Sequence, residues 1–365
     1  QDLPPFSQNN FGATLSGPVW IPKIYHGRNK TFFLFNYEGF RQREGNTGTA
    51  TYPSVGQLGG DLADDSAGTG LYPTSSGFCQ SNPSSVKCVN IIDPLSGLPF
   101  PGNQIPKERL DPITQTAIQF MPRPNVATAP GSAAFPAFNT VGTLKTRSDW
   151  DQYNVRLDQQ ITEKDLIYGT FSHSDESLLQ PSLQFLGGDV FPMSDQLWTF
   201  TYNRIISPTI LNEFRFGYNN SQTFRLSEGS NGKDYASEVF GLKNTSREPL
   251  DFGVPDFNFS GFSGVGSLSE AIGAEDENYQ WSDNLSISHG KHNIGVGFQI
   301  IYEKYFQITD FSGNPSFSFD GRYTGAQGLG IGDFLLGIPY QASGALGNSA
   351  QNLSTTFWSG YIQDD

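Results

Sequence analysis

Paired runs of alternating polar and apolar residues, an excess of aromatics over aliphatics, and tight turns alternating with long connections together predict an all-β chain. The expected architecture is an antiparallel up-and-down sheet of about nine strands. The clearest run is 151–174, DQYNVRLDQQITEKDLIYGTFSHS. Side chains along a strand alternate sides. Tyr153, Val155 and Leu157 therefore share one face, and Gln152, Asn154, Arg156, Asp158 and Gln160 share the other. A polar turn at 162–165 leads into a second run, with Ile167, Gly169 and Phe171 opposed to Tyr168, Thr170 and Ser172. The two runs form a hairpin with one apolar face. A soluble sandwich would bury that face against a second sheet. A membrane barrel would turn it to lipid and line a wet lumen with the polar face.

Composition bears on that choice. The 365 residues are 36% hydrophobic and 16% charged, yet 14% aromatic, with 30 Phe and 15 Tyr, which suits strands carrying aromatic girdles better than an ordinary soluble core. A net charge of −14 argues against a nucleic-acid surface and fits solvated loops. No apolar run is long enough for a transmembrane helix; this leaves a barrel open, because its strands are short and only half apolar. Cys79 and Cys88 lie close together in a Gly/Ser/Asn/Pro-rich stretch. They read as a disulfide if the protein is exported and as two free thiols in a reducing compartment. No signal peptide is visible at Gln1 and the chain stops within the strand-like GYIQDD, so a fragment is expected.

In chain order, 11–19 is a Gly-rich strand candidate. It is followed by 31–43, TFFLFNYEGFRQR, with Phe33, Phe35 and Tyr37 on one face. Residues 44–147 show no sustained strand pattern and read as a long outer-loop insertion, far beyond an ordinary connection. One helix is predicted inside it, capped by Asp111 with Pro112 at its first position and Leu110, Ile113, Ala117, Ile118 and Met121 on one face. Two further hairpins follow. The runs 196–206 and 212–220 carry Trp198, Phe200, Tyr202, Phe214, Phe216 and Tyr218 on the apolar phase. The runs 278–288 and 293–303 turn at HGKH, and 356–364 is a last strand. Asp283 falls on the apolar phase with no explanation in the pattern. Tight turns at one end and long loops at the other are the rhythm of a transmembrane barrel.

The phrases NNFGATLSGPVW, RNKTFFLFNYEGFR, IDPLSGLPFPGNQIPKERLDP, NVRLDQQITEKD, LSISHGKHNIGVGFQ, GDFLLGIPY and YIQDD, in that order, resemble the barrel of TonB-dependent outer-membrane receptors. The likeness is to the Oar-like kind common in Acidobacteria, which carry a carboxypeptidase-regulatory-like domain, and it covers nearly the whole chain. It implies part of a barrel of about twenty-two strands. A plug domain and the C-terminal barrel strands are expected to lie outside this chain, and the nine strands should form an open curved sheet. The implied function is import of a scarce nutrient (an iron chelate, glycan or peptide), with outer-membrane lipid and, through the plug, TonB as partners. No cofactor is implied. The alternatives are a passive porin-like channel and a secreted β-sandwich binding module.

Charges on the polar phase are the candidate plug-facing or ligand-facing lumen residues: Glu38, Arg156, Asp158, Glu213, Arg215 and Glu303. The plainer expectation is that neighbouring charges pair across strands and solvate the lumen. Asp61, Asp64 and Asp65 offer oxygen ligands for a hard cation, but their spacing matches no known loop, and a solvated acidic loop explains them better. His289 and His292 flank a Gly-Lys turn, which accounts for them without a metal. No metal site is expected. No nucleophile motif, P-loop or dinucleotide fingerprint is present, so no catalytic residue is assigned and an enzyme is not expected. Phe78, Phe100, Phe135, Phe138, Phe252, Phe257, Phe259 and Phe262 lie in the predicted outer loops. They would either stack on an organic ligand or pack the loops together.

Overall fold

The computed structural model describes residues 5–267, 271–347 and 349–365. Its strands are β1 (Phe6–Pro18), β2 (Trp20–Ile21), β3 (Tyr25–His26), β4 (Thr31–Ala50), β5 (Thr140–Thr162), β6 (Asp165–Gln180), β7 (Asp189–Ser207), β8 (Ile210–Ser227), β9 (Asp256–Phe259), β10 (Ala271–His289), β11 (His292–Asp310), β12 (Ser316–Phe319), β13 (Gln341–Ser343) and β14 (Gln351–Asp364). Nine of them form one antiparallel sheet in the order β1-β4-β5-β6-β7-β8-β10-β11-β14. The end strands β1 and β14 do not pair with each other, so the barrel portion is open at both edges.

Register explains why the alternation was so regular. Tyr37 lies opposite Tyr153, Phe35 opposite Val155 and Phe33 opposite Leu157. Phe171 then meets Val155 and Trp198, Phe200 meets Phe216, and Trp281 meets Ile300. One face therefore carries a continuous apolar and aromatic band. Its rings touch across strands: Tyr37–Tyr153 at 5.0 Å, Phe171–Trp198 at 4.2 Å and Tyr218–Tyr279 at 4.8 Å between centroids. The band stays open rather than covered. Trp198 is 48% exposed, Phe298 50% and Trp358 77%. This rules out the sandwich, which would have buried these rows. Asp283, anomalous in the sequence, accepts a hydrogen bond from Asn212 Nδ2 at 2.6 Å, so two polar groups on the apolar phase satisfy each other.

The strands run further than the sequence pattern suggested. The β4–β5 ladder continues to Ala50 opposite Thr140, and the insertion read as 44–147 is therefore a connection of 51–139. Beyond Tyr37 and Tyr153 the apolar phase becomes charged. Arg41 NH2 makes a bidentate contact with Asp151 (2.7 and 2.8 Å), Tyr37 Oη donates to Asp151 at 2.7 Å, and Arg43 and Arg147 both reach Asp149. With both faces polar there is no alternation to read, although the backbone pairing persists. Strands of 18 to 23 residues, such as β8 and β5, exceed the roughly 9–11 needed to cross the bilayer, so the surplus stands above it.

Tight turns sit at one rim, at 163–164, 208–209 and 290–291, with the small β2–β3 ladder in the 19–30 connection beside them. The long connections 51–139, 228–270 and 311–350 all emerge at the other rim. They fold together into a lobe that holds the principal buried apolar cluster, from Tyr52, Leu62 and Ile91 through Phe257 and Phe259 to Phe319 and Phe334. Within it β12 pairs in parallel with β9 and antiparallel with β13, joining two separate connections. The shorter 181–188 connection packs in through Phe185, 5.5 Å from Phe120.

Irregular backbone can be buried only if its polar groups find partners. Amide side chains supply them in the lobe. Asn103 Nδ2 donates to the carbonyls of Leu71 (2.9 Å) and Val89 (2.7 Å), while its Oδ1 accepts from Ile91 N. Asn139 bridges Tyr52 O and Ala67 O, and Gln57 donates to Thr69 O. The anticipated helix is present as Pro112–Ala117, with Asp111 Oδ1 accepting from Ile113 N and Thr114 N at 2.9 Å each. Cys79 and Cys88 are joined as a disulfide, their Cα atoms 5.6 Å apart.

Candidate functional site

The polar face of the sheet and the lobe above its outer rim are the two surfaces built to meet something other than lipid. On the polar face, hydroxyl and amide side chains hydrogen-bond across strands: Thr14 to Asn36 (2.7 Å), Ser172 to Asn154 (2.7 Å) and Thr170 with Thr199 (2.5 Å). The six candidate charges all lie on this face, spread over four strands rather than converging. Arg156 binds Asp158 at 2.6 Å and lies over the Tyr168 ring at 4.6 Å, and Arg215 binds Glu213 at 2.9 Å. Both pairs run along a strand, i to i+2. The expected cross-strand pairing does not occur, because register sets Arg156 opposite Leu34 and Thr170, and Arg215 opposite Thr201 and Ser282. Glu38 accepts a weak bond from Asn36 (3.4 Å) and lines a polar cleft of about 460 Å³ with Asn10, Thr14 and Trp150. Glu303 lies opposite Asn278 and Thr355 and, among the described residues, has no side-chain partner.

The lobe turns most of its aromatics inward. Phe100, Phe257 and Phe259 are buried, and Phe78 stacks on Tyr72 at 4.2 Å; among the eight loop phenylalanines only Phe138 is open to solvent, at 40% exposed. These phenylalanines are therefore packing residues rather than a ready platform for a ligand.

In the acidic run Asp64 is committed to a turn and Asp65 to a buried ion pair, while Asp61 Oδ1 is buried without a hydrogen-bond partner. Asp64 accepts from Ser54 Oγ, Gly56 N and Ser66 N, and Asp65 meets the fully buried Lys87 Nζ at 2.9 Å. Among the described residues no group of three or more His, Cys, Asp or Glu is arranged to hold a metal. His289 and His292 close the β10–β11 turn, and His292 Nδ1 lies 2.7 Å from Asp364.

Titration in the lobe follows burial and pairing. Burial pushes the Tyr52 phenol up to about 12, its Oη lacking a partner. Burial, reinforced by Asp65, does the same to Tyr72. Hydrogen bonds from Arg109 hold Asp93 down at about 2. Burial raises Asp256, beside the β9–β12 pairing, to about 6 even though Asn258 Nδ2 and Ser316 Oγ donate to it.

An open antiparallel sheet with a lipid-facing aromatic band, a polar opposite face, tight turns at one rim and a folded lobe at the other defines part of an outer-membrane β-barrel. The family model for the outer membrane beta barrel domain matches residues 1–365, and the chain belongs to that family. No curated protein matches it. Among solved structures, the outer membrane transporter YddB from Escherichia coli is similar at a TM-score of 0.50 and 7% identity, covering 98% of this chain and 32% of that one. The chain thus spans about a third of that transporter's length. Two further matches are the ferric-catecholate import receptor Fiu from E. coli K12 in its open form (TM-score 0.34, 10% identity, 97% of this chain and 44% of that one) and the siderophore receptor PiuA from Acinetobacter baumannii (0.36, 7%, 97% and 39%). At those scores they add nothing to the fold assignment. The likeness to YddB shows the fold alone, and the membrane that holds this barrel portion is the outer membrane.

Proposed function

We propose that this chain is part of a TonB-dependent receptor of the Oar-like kind, which binds a scarce nutrient at the cell surface and imports it into the periplasm. The single observation that carries this reading is that the three long connections fold into one lobe at a single rim of the barrel portion. A fixed outer structure is suited to meeting a ligand, whereas a general pore needs only a clear opening. In this reading Glu38, Arg156, Asp158, Glu213, Arg215 and Glu303 face a plug domain or the ligand path. The energy arrives from TonB through that plug. The nutrient class stays broad, because a scaffold does not fix its ligand. No catalytic step is assigned.

The test is growth of a strain lacking the gene on iron chelates, glycans or peptides as the limiting nutrient, repeated in a strain lacking TonB. Loss of growth on one nutrient in both strains supports the receptor. Uptake that survives loss of TonB and follows solute size alone would instead identify a passive channel.

A further inference from the structure

At the tight-turn rim the 19–30 connection, VWIPKIYHGRNK, differs from its neighbours at 163–164, 208–209 and 290–291, being much longer and carrying the β2–β3 ladder. Trp20 lies opposite His26 and Ile21 opposite Tyr25. Ile24 N donates to Ile21 O at 3.0 Å, and Pro22 followed by Lys23 at a φ of 64° closes a tight turn with Lys23 at its tip. The hairpin is tied to the lipid side of the sheet. Tyr25 Oη meets Thr31 Oγ1 at 2.5 Å and donates to Gln159 Oε1 at 3.2 Å. Thr31 and Gln159 lie opposite one another, two residues beyond Phe33 and Leu157 on the same phase, at the tight-turn edge of the apolar band. Tyr25 therefore reaches across β4 to β5 on the outward face, away from the open edge at β1. Cross-strand partners share a face, so Ile21 lies on the sheet side with Tyr25, and Trp20 lies on the other side with His26.

The apolar side chains around this tether are uncovered: Trp20 is 54% exposed and Ile24 82%. Charge is equally one-sided. The connection carries Lys23, Arg28 and Lys30 and no carboxylate, in a chain with a net charge of −14. Among the described residues none of the three makes an ion pair. The aspartates of the adjoining strand ends are taken, Asp158 by Arg156, and Asp165 by Arg204 and the Tyr202 hydroxyl; Glu163 in the next turn is followed by Lys164. Exposed Trp, Ile and Tyr beside unpaired Lys and Arg suit a segment lying in a membrane interface, with its apolar groups among acyl chains and its cations on phosphates. The short turns of an outer-membrane barrel face the periplasm.

We propose that the 19–30 hairpin is an interfacial anchor that binds anionic phospholipid in the periplasmic leaflet of the outer membrane. Trp20 and Ile24 enter the bilayer, and Lys23, Arg28 and Lys30 hold headgroup phosphates. Two observations select lipid over a protein partner. The hairpin is continuous with the lipid-facing band through Tyr25, and its charge is complementary to an anionic headgroup layer.

The experiment places the full-length protein in phosphatidylcholine vesicles that contain a small, equal fraction of brominated phosphatidylglycerol or brominated phosphatidylcholine. Fluorescence of Trp20, taken as the difference between the unmutated protein and Trp20→Phe, reports which lipid lies beside the hairpin. Quenching by phosphatidylglycerol is expected to exceed that by phosphatidylcholine about twofold or more. The excess should vanish in the triple variant Lys23→Gln, Arg28→Gln, Lys30→Gln, and for the unmutated protein in about 1 M salt, where the screening length falls to about 3 Å. Equal quenching by the two lipids overturns the proposal, as does an excess that persists in the folded triple variant. An excess that survives salt overturns it too, which keeps the test decisive if the triple variant does not fold. Trp20 quenched by neither lipid would mean that another part of the full-length protein covers the hairpin, and also overturns the anchor. None of these readouts depends on nutrient uptake, so failure here leaves the receptor reading standing.

Discussion

In the sheet the large apolar side chains lie open, with Trp198 and Phe298 about half exposed, whereas in the lobe Phe257, Phe259 and Phe334 show almost no surface. The difference marks two solvents. Lipid accepts the sheet's aromatic rows, so the sheet depends on its backbone ladder, and side-chain burial within the chain contributes little there. The lobe stands in water and is held by an apolar core, buried amides and capped short helices. One chain therefore follows two sets of packing rules, and substitutions should divide along the same line.

The largest effect is expected in the lobe core. Phe334→Ala removes a ring stacked 4.6 Å from Phe259 and edge-on to Phe319 at 5.5 Å. It should cost about 3–5 kcal/mol of lobe stability. Limited proteolysis in detergent should then cut within the long connections while the sheet stays protected. Simultaneous loss of the sheet would show that the two regions are one cooperative unit.

The converse test is on the sheet. Phe200, opposite Gly169 and Phe216, lies within the apolar band, and Phe200→Arg should cost about 2–4 kcal/mol in a bilayer. Three residues earlier, Leu197 lies on the polar face opposite Ser172 and Asn219, and Leu197→Arg should change stability by no more than about 0.5 kcal/mol. Unfolding titrations in lipid vesicles compare the two. Equal costs would break the assignment of faces.

Acidity sharpens the picture for the lobe. The Asp256 carboxyl titrates near 6 in the fold against about 4 when unfolded, so the folded lobe binds its proton more tightly. Its contribution favours the fold below about pH 4, declines as pH rises to about 6, and is flat above that. The penalty at pH 7 is at most about 3 kcal/mol. Asp256→Asn should remove that slope and stabilise the lobe at neutral pH, measured as the urea midpoint against pH in both proteins. The smallest effect expected is Asp111→Ala, which deletes an N-cap and should lower lobe stability by about 1 kcal/mol by the same measurement.

Much of the sheet was legible because one face of each strand had to be apolar over the width of the bilayer. Tyr153–Val155–Leu157 and Phe214–Phe216–Tyr218 could be read directly from their spacing. Residues 44–50 and 140–147 could not, since Arg43 and Arg147 occupy the apolar phase once the ladder rises above the membrane. The lobe core was the least legible. Tyr52, Leu62, Leu71 and Ile91 have no period, and contact between separate connections assembles them. Alternation put the six candidate charges on one face, but which neighbours they meet depends on register, which alternation does not give. The acidic run at 61–65 resembles a cation loop in composition, yet its Asp65 answers a buried lysine, and that partner lies 22 residues away where no local pattern points to it.

The parallel pairing of β9 with β12 has a consequence for how the protein is made. Between Phe259 and Ser316 the chain descends through β10, turns at 290–291 and climbs back through β11. The two halves of that pairing therefore reach the cell exterior at different moments, separated by a complete round trip through the bilayer. The β9–β12 pairing can form only once both of its strands stand on the same side of the membrane, which ties closure of the lobe to placement of the β10–β11 hairpin.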